Sequence, residues 1–298
     1  MAKKVGEPPP RGGIVVVDKP PGMTSHDVVA RVRRFAGTRR VGHAGTLDPM
    51  ATGVLLVGVG RATRLLGHLS LHDKRYLGTA RLGQVTSTDD AEGTVLDSRS
   101  CTNITSDDVK SAALSFVGEL EQRPPAVSAI KVEGKRAYTL ARAGAEVVLA
   151  TRRVTVSEFA VLDVRRQGEF VDVDLDVTCS SGTYIRALAR DLGAQLGVGG
   201  HLTALRRTRV GGFDLAAAHT LDDLEQSFVL TPLDDAAAAA FTRRDLDEAQ
   251  ALTLSHGGRL PASGLGDQPV AAFSPAGVFL ALLEDRGEVA RPVAVFVG

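Results

Sequence analysis

From Phe170 to Val177 the chain alternates without a break, with Val171, Val173, Leu175 and Val177 on one side and Asp172, Asp174 and Asp176 on the other. A period of two puts the apolar set on one face of a strand and the carboxylates on the opposite face, which demands a sheet with one dry and one wet side. Val154 to Val164 precedes it across a polar, glycine-containing turn, and the pair predicts an antiparallel hairpin. β-Branched runs at Gly13–Asp18 and Val54–Val59, and an extended run from Lys74 to Leu82, predict further strands. Helical spacing lies between them. Val28, Val29, Val32 and Phe35 follow the capping residues Thr24 and Ser25 and end at Gly37; Val109, Ala112 and Ala113 follow a capping box at Thr105 and Asp108; Ile185, Leu188, Ala189, Leu192 and Leu196 follow the turn at Ser181-Gly182. The chain is therefore α+β, and 298 residues at 44% hydrophobic content suffice for a real core in one large domain or two.

The amino terminus, residues 1–11, is polar and carries Pro8, Pro9 and Pro10, so it reads as a flexible tail without the apolar centre of a signal peptide. No apolar run approaches the roughly 20 residues that span a bilayer, and a soluble, cytoplasmic protein is expected. Gly83 to Gly93 reads as an exposed polar loop, Gln122 to Lys131 as an irregular connection around Pro124 and Pro125, Ala137 to Arg142 as a short helix, and Asp214 to Gln250 as a helical connection. After Ala251 short strands return, at Val270–Phe273, Val278–Leu283 and Val293–Val297, which predicts a small β-rich second domain over 251–298 that leans on the first.

One carboxylate stands out. Asp48 lies in Gly42-His43-Ala44-Gly45-Thr46-Leu47-Asp48-Pro49-Met50-Ala51-Thr52-Gly53, a loop of glycines and small residues directly before the Val54–Val59 strand. Such a loop is either a turn or a fixed acid presented closely to a bulky partner. Tyr76, flanked by Lys74 and Arg75 in a chain with 4% aromatics and no tryptophan, either packs on a half-buried sheet or stacks on a nucleobase. Arg186 is a cation in the first turn of a helix, where it opposes the dipole by some tenths of a kcal/mol, so a nearby anion would offset the mismatch. His68 and His72 are four apart but lack a third ligand, and Cys101 and Cys179 match no metal or redox spacing, so no metal is expected. The formal net charge is zero, yet residues 1–75 hold 13 Lys/Arg against 5 Asp/Glu while 213–250 hold 2 against 9. A neutral chain can thus present a basic face to a polyanion. The Asp48 loop lacks the lysine–serine/threonine ending of a P-loop.

Several blocks then agree in order and spacing over roughly residues 12–212: Asp18-Lys19-Pro20 with Gly22-Met23-Thr24-Ser25, the Asp48 loop, Lys74-Arg75-Tyr76, Pro124-Pro125 with Ser128-Ala129 and Lys131, Gly182-Thr183-Tyr184-Ile185-Arg186, and Leu205-Arg206-Arg207. Together they resemble the TruB family of tRNA pseudouridine-55 synthases. The resemblance implies the pseudouridine synthase fold, a mixed and mainly antiparallel sheet flanked by helices, as a catalytic domain over 12–250, with 251–298 resembling a PUA-type RNA-binding domain. It implies detachment of uracil from its ribose, rotation, and rejoining through C5 in place of N1. Asp48 aligns with the family's essential aspartate; an aspartate is ionised at neutral pH without an activating base, and attack on the sugar, attack on the base and removal of a sugar proton all stay open to it. By the same carry-over Arg186 pairs with Asp48, Tyr76 stacks on the flipped uracil and is a candidate for helping to remove the C5 proton, although a phenol of pKa about 10 is a poor base, Tyr184 and Leu205 line the pocket, and His43 contacts displaced RNA. Lys19, Lys131, Arg206 and Arg207 would hold phosphates. The implied partner is the tRNA T stem-loop, with no cofactor, no membrane, no obligate protein partner and a monomeric enzyme. The competing expectation is an RNA-binding chaperone of tRNA folding in which catalysis is secondary.

Overall fold

The structure is a computed structural model that describes residues 11–125, 131–132, 135–136 and 150–297. Its described residues fall into two compact units, the first built from the chain up to Pro49, Gly53–Ser70 and everything from Val210 onward, the second from Met50–Thr52 and Leu71–Arg209.

In the first unit the strand Gly12–Lys19 pairs antiparallel with Thr52–Gly60, matching Val15 with Val57 and Val17 with Leu55, and its other edge meets Thr231–Pro232. The short strand Val41–Ala44 also pairs with Thr52–Gly60. These strands are apolar on both faces because both are covered, and Ile14, Val15, Leu55, Leu56 and Val57 are all fully buried. The helix Ser25–Ala36 starts at a capping box between Thr24 and Asp27 and ends where Gly37 takes a left-handed φ of 61°. The carboxyl-terminal residues form a five-stranded sheet in the order Arg243–Asp245, Val270–Phe273, Phe279–Arg286, Val289–Val295, Leu260–Pro261. Its first strand pairs parallel with Val270–Phe273, so the expected helical connection Asp214–Gln250 contains the helices Leu221–Gln226 and Leu233–Ala240 and then a strand. Phe273, Phe279, Leu282 and Phe296 share one core with Ile14, Val16, Leu56 and Leu233, so this small sheet buries one face against the first strands of the same unit.

Arg11 departs from the expectation of a loose tail. Its guanidinium bonds the Asp234 carboxylate and the Phe279 carbonyl, while Asp234 also accepts from the Phe279 N–H at 2.8 Å.

In the second unit the strands run Gly200–Val210, Lys74–Leu82, Phe170–Cys179, Arg152–Gln167, Gly118–Gln122 in spatial order. The predicted hairpin is present, with Val164 opposite Val173 and Phe159 opposite Val177. Its dry face is buried as the alternation requires, with Val173 at 0% and Val177 at 1% exposure. The wet face is a ladder of ion pairs: Arg75 on Asp176, Arg81 on Asp172, and Arg165 on Asp174, which also accepts from Thr79. Arg75, Arg81 and Arg165 are each bidentate on their carboxylates, and Asp172 and Asp176 lie below 10% exposure although they are on the polar side. The helices Ser106–Leu114 and Ile185–Gln195 belong to this unit, the first opened by the predicted Thr105–Asp108 capping box. Gly83 to Gly93 is not an exposed loop. Gln84–Thr86 pairs with Val95–Ser98, and Thr86 and Asp90 are 4% and 2% exposed because their polar atoms are satisfied internally. The helix expected at Ala137–Arg142 lies outside the described residues.

Candidate active site

The first unit holds Asp48. Gly45, at φ 76°, and Gly53, at φ 96°, take left-handed backbone that only glycine adopts without strain, and they bound the loop. Ala44, Leu47 and Ala51 are buried and anchor it, leaving the Asp48 side chain half-buried. The backbone on both sides of Asp48 is tied to the segment after the first strand. Leu47 N–H donates to Ser25 Oγ at 2.9 Å, and Ser25 Oγ donates to the Leu47 carbonyl at 3.2 Å. The Pro49 carbonyl accepts from Gly22 N–H at 2.8 Å and from Lys19 Nζ at 3.1 Å. Lys19 also donates to the carbonyls of Met23 and Pro20, at 2.7 and 3.0 Å, and is 0% exposed. The expectation that Lys19 holds a phosphate is therefore corrected: its ammonium is buried and spent on three carbonyls. His43 lies on the strand Val41–Ala44, its ring edge-on to His26 with centroids 5.3 Å apart.

The second unit holds the other expected side chains. Tyr76 lies on the strand Lys74–Leu82 opposite Val177 and is 7% exposed, so packing against the sheet accounts for most of its surface. Its neighbour Lys74 is buried opposite Cys179; its ammonium is pushed down to about 8, by burial first and by the Arg207 guanidinium second. Burial pushes the Cys179 thiol up to about 11, and both cysteines are free and buried.

Arg186 finds the anion its helix position called for. Its Nη1 lies 3.0 Å from Asp90 Oδ2 and 2.7 Å from the Thr88 carbonyl, and both side chains of the ion pair are about 5% exposed or less. Asp90 is held in turn by Thr88 Oγ1 at 2.5 Å and by Glu92 N–H at 3.0 Å. The neighbouring Asp89, at φ 58°, pairs with Arg190 at 2.8 Å; burial raises its carboxyl despite that cation. Sequence reasoning missed Asp90, because Thr86-Ser87-Thr88-Asp89-Asp90 has the composition of a solvated loop; the available signal was the unpaired-looking cation at Arg186.

Tyr184 is the N-cap of Ile185–Gln195 and supplies no side-chain cap. The Gln122 amide bonds both backbone groups of that residue: it accepts from Tyr184 N–H at 2.8 Å and donates to the Tyr184 carbonyl at 3.1 Å. The Arg152 guanidinium lies over the Tyr184 ring, 5.3 Å from its centroid. Leu205 and Arg206 line a cavity of about 460 Å³ together with Thr52, Leu77, Thr79 and Asp174. Arg206 donates to Thr52 Oγ1 at 3.4 Å and is half-buried. Arg207 is 1% exposed, which corrects its expected phosphate contact: the residue faces inward from the strand Gly200–Val210. The Lys131 side chain lies outside the described residues.

The helix Leu66–Leu69 stops short of His72, and among the described residues no group of three or more His, Cys, Asp or Glu side chains could hold a metal ion. Among the same residues no helix is long and apolar enough to cross a membrane.

The described residues form an α+β fold with mainly antiparallel sheets that carries Asp48 on a glycine-bounded loop. A solved Cbf5-Nop10-Gar1 complex contains a chain that superposes with a TM-score of 0.74 at 27% identity, covering 96% of this chain and 85% of that one. The chain of an H/ACA RNP bound to a substrate RNA containing 2'-deoxyuridine matches in fold with a TM-score of 0.72 at 24% identity, over 100% of this chain and 94% of that one. The model of the TruB family pseudouridylate synthase N-terminal domain matches residues 33–185, that of the tRNA pseudouridylate synthase B C-terminal domain 186–250, and that of the tRNA pseudouridine synthase II C terminus 241–297. A tRNA pseudouridine synthase B of Thermobifida fusca is 59% identical over 290 residues, 96% of this chain and 99% of the relative, and one of Mycobacterium sp. (strain KMS) is 58% identical over 285 residues, 95% and 96% of the two chains. The chain belongs to the TruB family of pseudouridylate synthases.

Proposed function

We propose that this enzyme isomerises uridine to pseudouridine in tRNA, at position 55 of the T loop. The observation that carries the proposal is Asp48, a half-buried carboxylate on a backbone pinned at both neighbouring residues, within a chain whose relatives named as tRNA pseudouridine synthases match nearly end to end. The reaction breaks the N1–C1' bond and forms a C5–C1' bond; the C5 proton leaves to solvent and N1 gains one. Bonds and electrons balance without a redox partner or an outside donor, and Asp48 is the group assigned to the cleavage of the N1–C1' bond, with Tyr76 a candidate for helping to remove the C5 proton.

A uridine in a folded loop must leave its stack first, at a cost of a few kcal/mol. Stacking on Tyr76, pocket contacts from Tyr184 and Leu205, His43 against displaced nucleotides and Arg206 toward phosphate offset that cost. The segment 251–298, with the strand Arg243–Asp245 that pairs into its sheet, serves as the RNA-binding appendage of a catalytic domain over 12–250. The enzyme acts as a monomer on the T stem-loop in the cytoplasm.

Mapping pseudouridine in total tRNA after deleting and restoring the gene tests this. Loss of the T-loop modification on deletion and its return on restoration are expected; T-loop pseudouridine that persists in the deletion strain would contradict the assignment.

A further inference from the structure

Ser25 opens the helix Ser25–Ala36, yet Thr24 and Asp27 do the capping. The Ser25 hydroxyl is turned inward, 1% exposed, and bonds both backbone polar groups of Leu47, accepting from N–H at 2.9 Å and donating to C=O at 3.2 Å. The first bond fixes the peptide plane before Leu47, and the second fixes the plane that joins Leu47 to Asp48. Beyond Asp48, proline locks its own φ near −65° and restricts the residue before it to extended backbone. The next plane is fixed through the Pro49 carbonyl by Gly22 N–H and Lys19 Nζ. Every backbone plane around Asp48 thus has a restraint, and one buried hydroxyl supplies two of them.

We propose that Ser25 is a positioning residue for Asp48, holding its carboxylate in the place where it acts on the nucleotide. This rests on Asp48 being the catalytic group. Misplacing a reacting atom by about 1 Å costs on the order of 100-fold in rate, whereas the affinity for tRNA, spread over many contacts, does not depend on that placement.

The test compares Ser25→Ala with Thr24→Ala, its exposed neighbour, in single-turnover tritium release from tRNA carrying 5-tritiated uridine. Thr24→Ala removes the capping box of the same helix and lowers Tm by about 2–4 °C, but leaves Leu47 bonded. Ser25→Ala is expected to lose about 10- to 100-fold in kcat with tRNA Kd unchanged, Thr24→Ala to keep its kcat. Ser25→Cys, whose thiol is a weak donor and acceptor, keeps the side-chain shape and should fall between, and it carries the comparison if Ser25→Ala does not fold. Wild-type kcat in the folded Ser25 variants, or an equal loss in Thr24→Ala, would overturn the positioning role. Asp48→Asn in the same series separates the two ideas: turnover by that variant removes the premise, while an inactive Asp48→Asn beside a fully active Ser25→Ala removes only the role of Ser25.

Discussion

Arg186 and Asp90 carry the sharpest consequence at the scale of single residues. Both are about 5% exposed or less, so removing the charge of one breaks an ion pair buried away from water. Asp90→Asn should lose about 3 kcal/mol of stability, measured by urea unfolding, and should slow turnover more than it weakens tRNA binding; a variant as stable as wild type would contradict the buried ion pair. Lys74 gives a pH signature. Its folded pKa of about 8 lies below the ordinary lysine value, so between about pH 8 and pH 10.4 the unfolded chain binds more protons and stability rises with pH. Wild type should therefore gain on Lys74→Met across that window, by something on the order of 2 kcal/mol, and a difference between the two that stays flat from pH 7.5 to pH 10 would contradict the burial of a charged Lys74. Charge is legible in a sequence and burial of charge is not: Lys19 and Arg207 look like phosphate contacts because they are basic, and only the three carbonyls around Lys19 Nζ reveal its different employment.

Elements were legible where a period repeats. The alternation at Phe170–Val177 fixes a strand, its partner and the face each residue takes, the capping box at Thr105 marks a helix start, and the Thr24-Ser25 pair marks another to within a residue. Contacts between distant segments leave no such trace. Gln122 and Tyr184 are 62 positions apart, and no local spacing announces that an amide on another strand bonds both backbone groups of the residue at the start of a helix. Gly193 belongs to the same class: a Cβ there would lie 2.2 Å from the Gly199 carbonyl carbon and 2.4 Å from Gly200 N, where the helix Ile185–Gln195 passes the turn that follows it. Backbone cannot yield as a side chain does, so Gly193→Ala should cost at least about 2 kcal/mol and lower Tm in a thermal melt. A neutral Gly193→Ala would mean that the helix and the turn are farther apart than described.

For the whole molecule, zero net charge conceals a basic amino-terminal third. Arg31, Arg33, Arg34, Arg39 and Arg40 remain exposed there, although Arg34 already pairs with Glu225. With several phosphates neutralised, the Kd for a T stem-loop RNA should rise by at least about tenfold between 50 and 200 mM salt, and a nearly flat dependence would contradict a polyanion partner. The family and its fold were legible from dispersed motifs, since their order and spacing survive where individual residues admit two explanations. The shared core of the carboxyl-terminal sheet with the first strands was legible only in part, because Phe273, Phe279 and Phe296 say that they are buried but not against what.

Everything converges on one carboxylate. Asp48→Asn keeps the size of the side chain and its place on the pinned loop while removing the charge. Given tRNA carrying 5-tritiated uridine, the variant should bind with wild-type affinity and release no tritium above background. Tritium release at an appreciable fraction of the wild-type rate would contradict the assignment of Asp48 as the catalytic group.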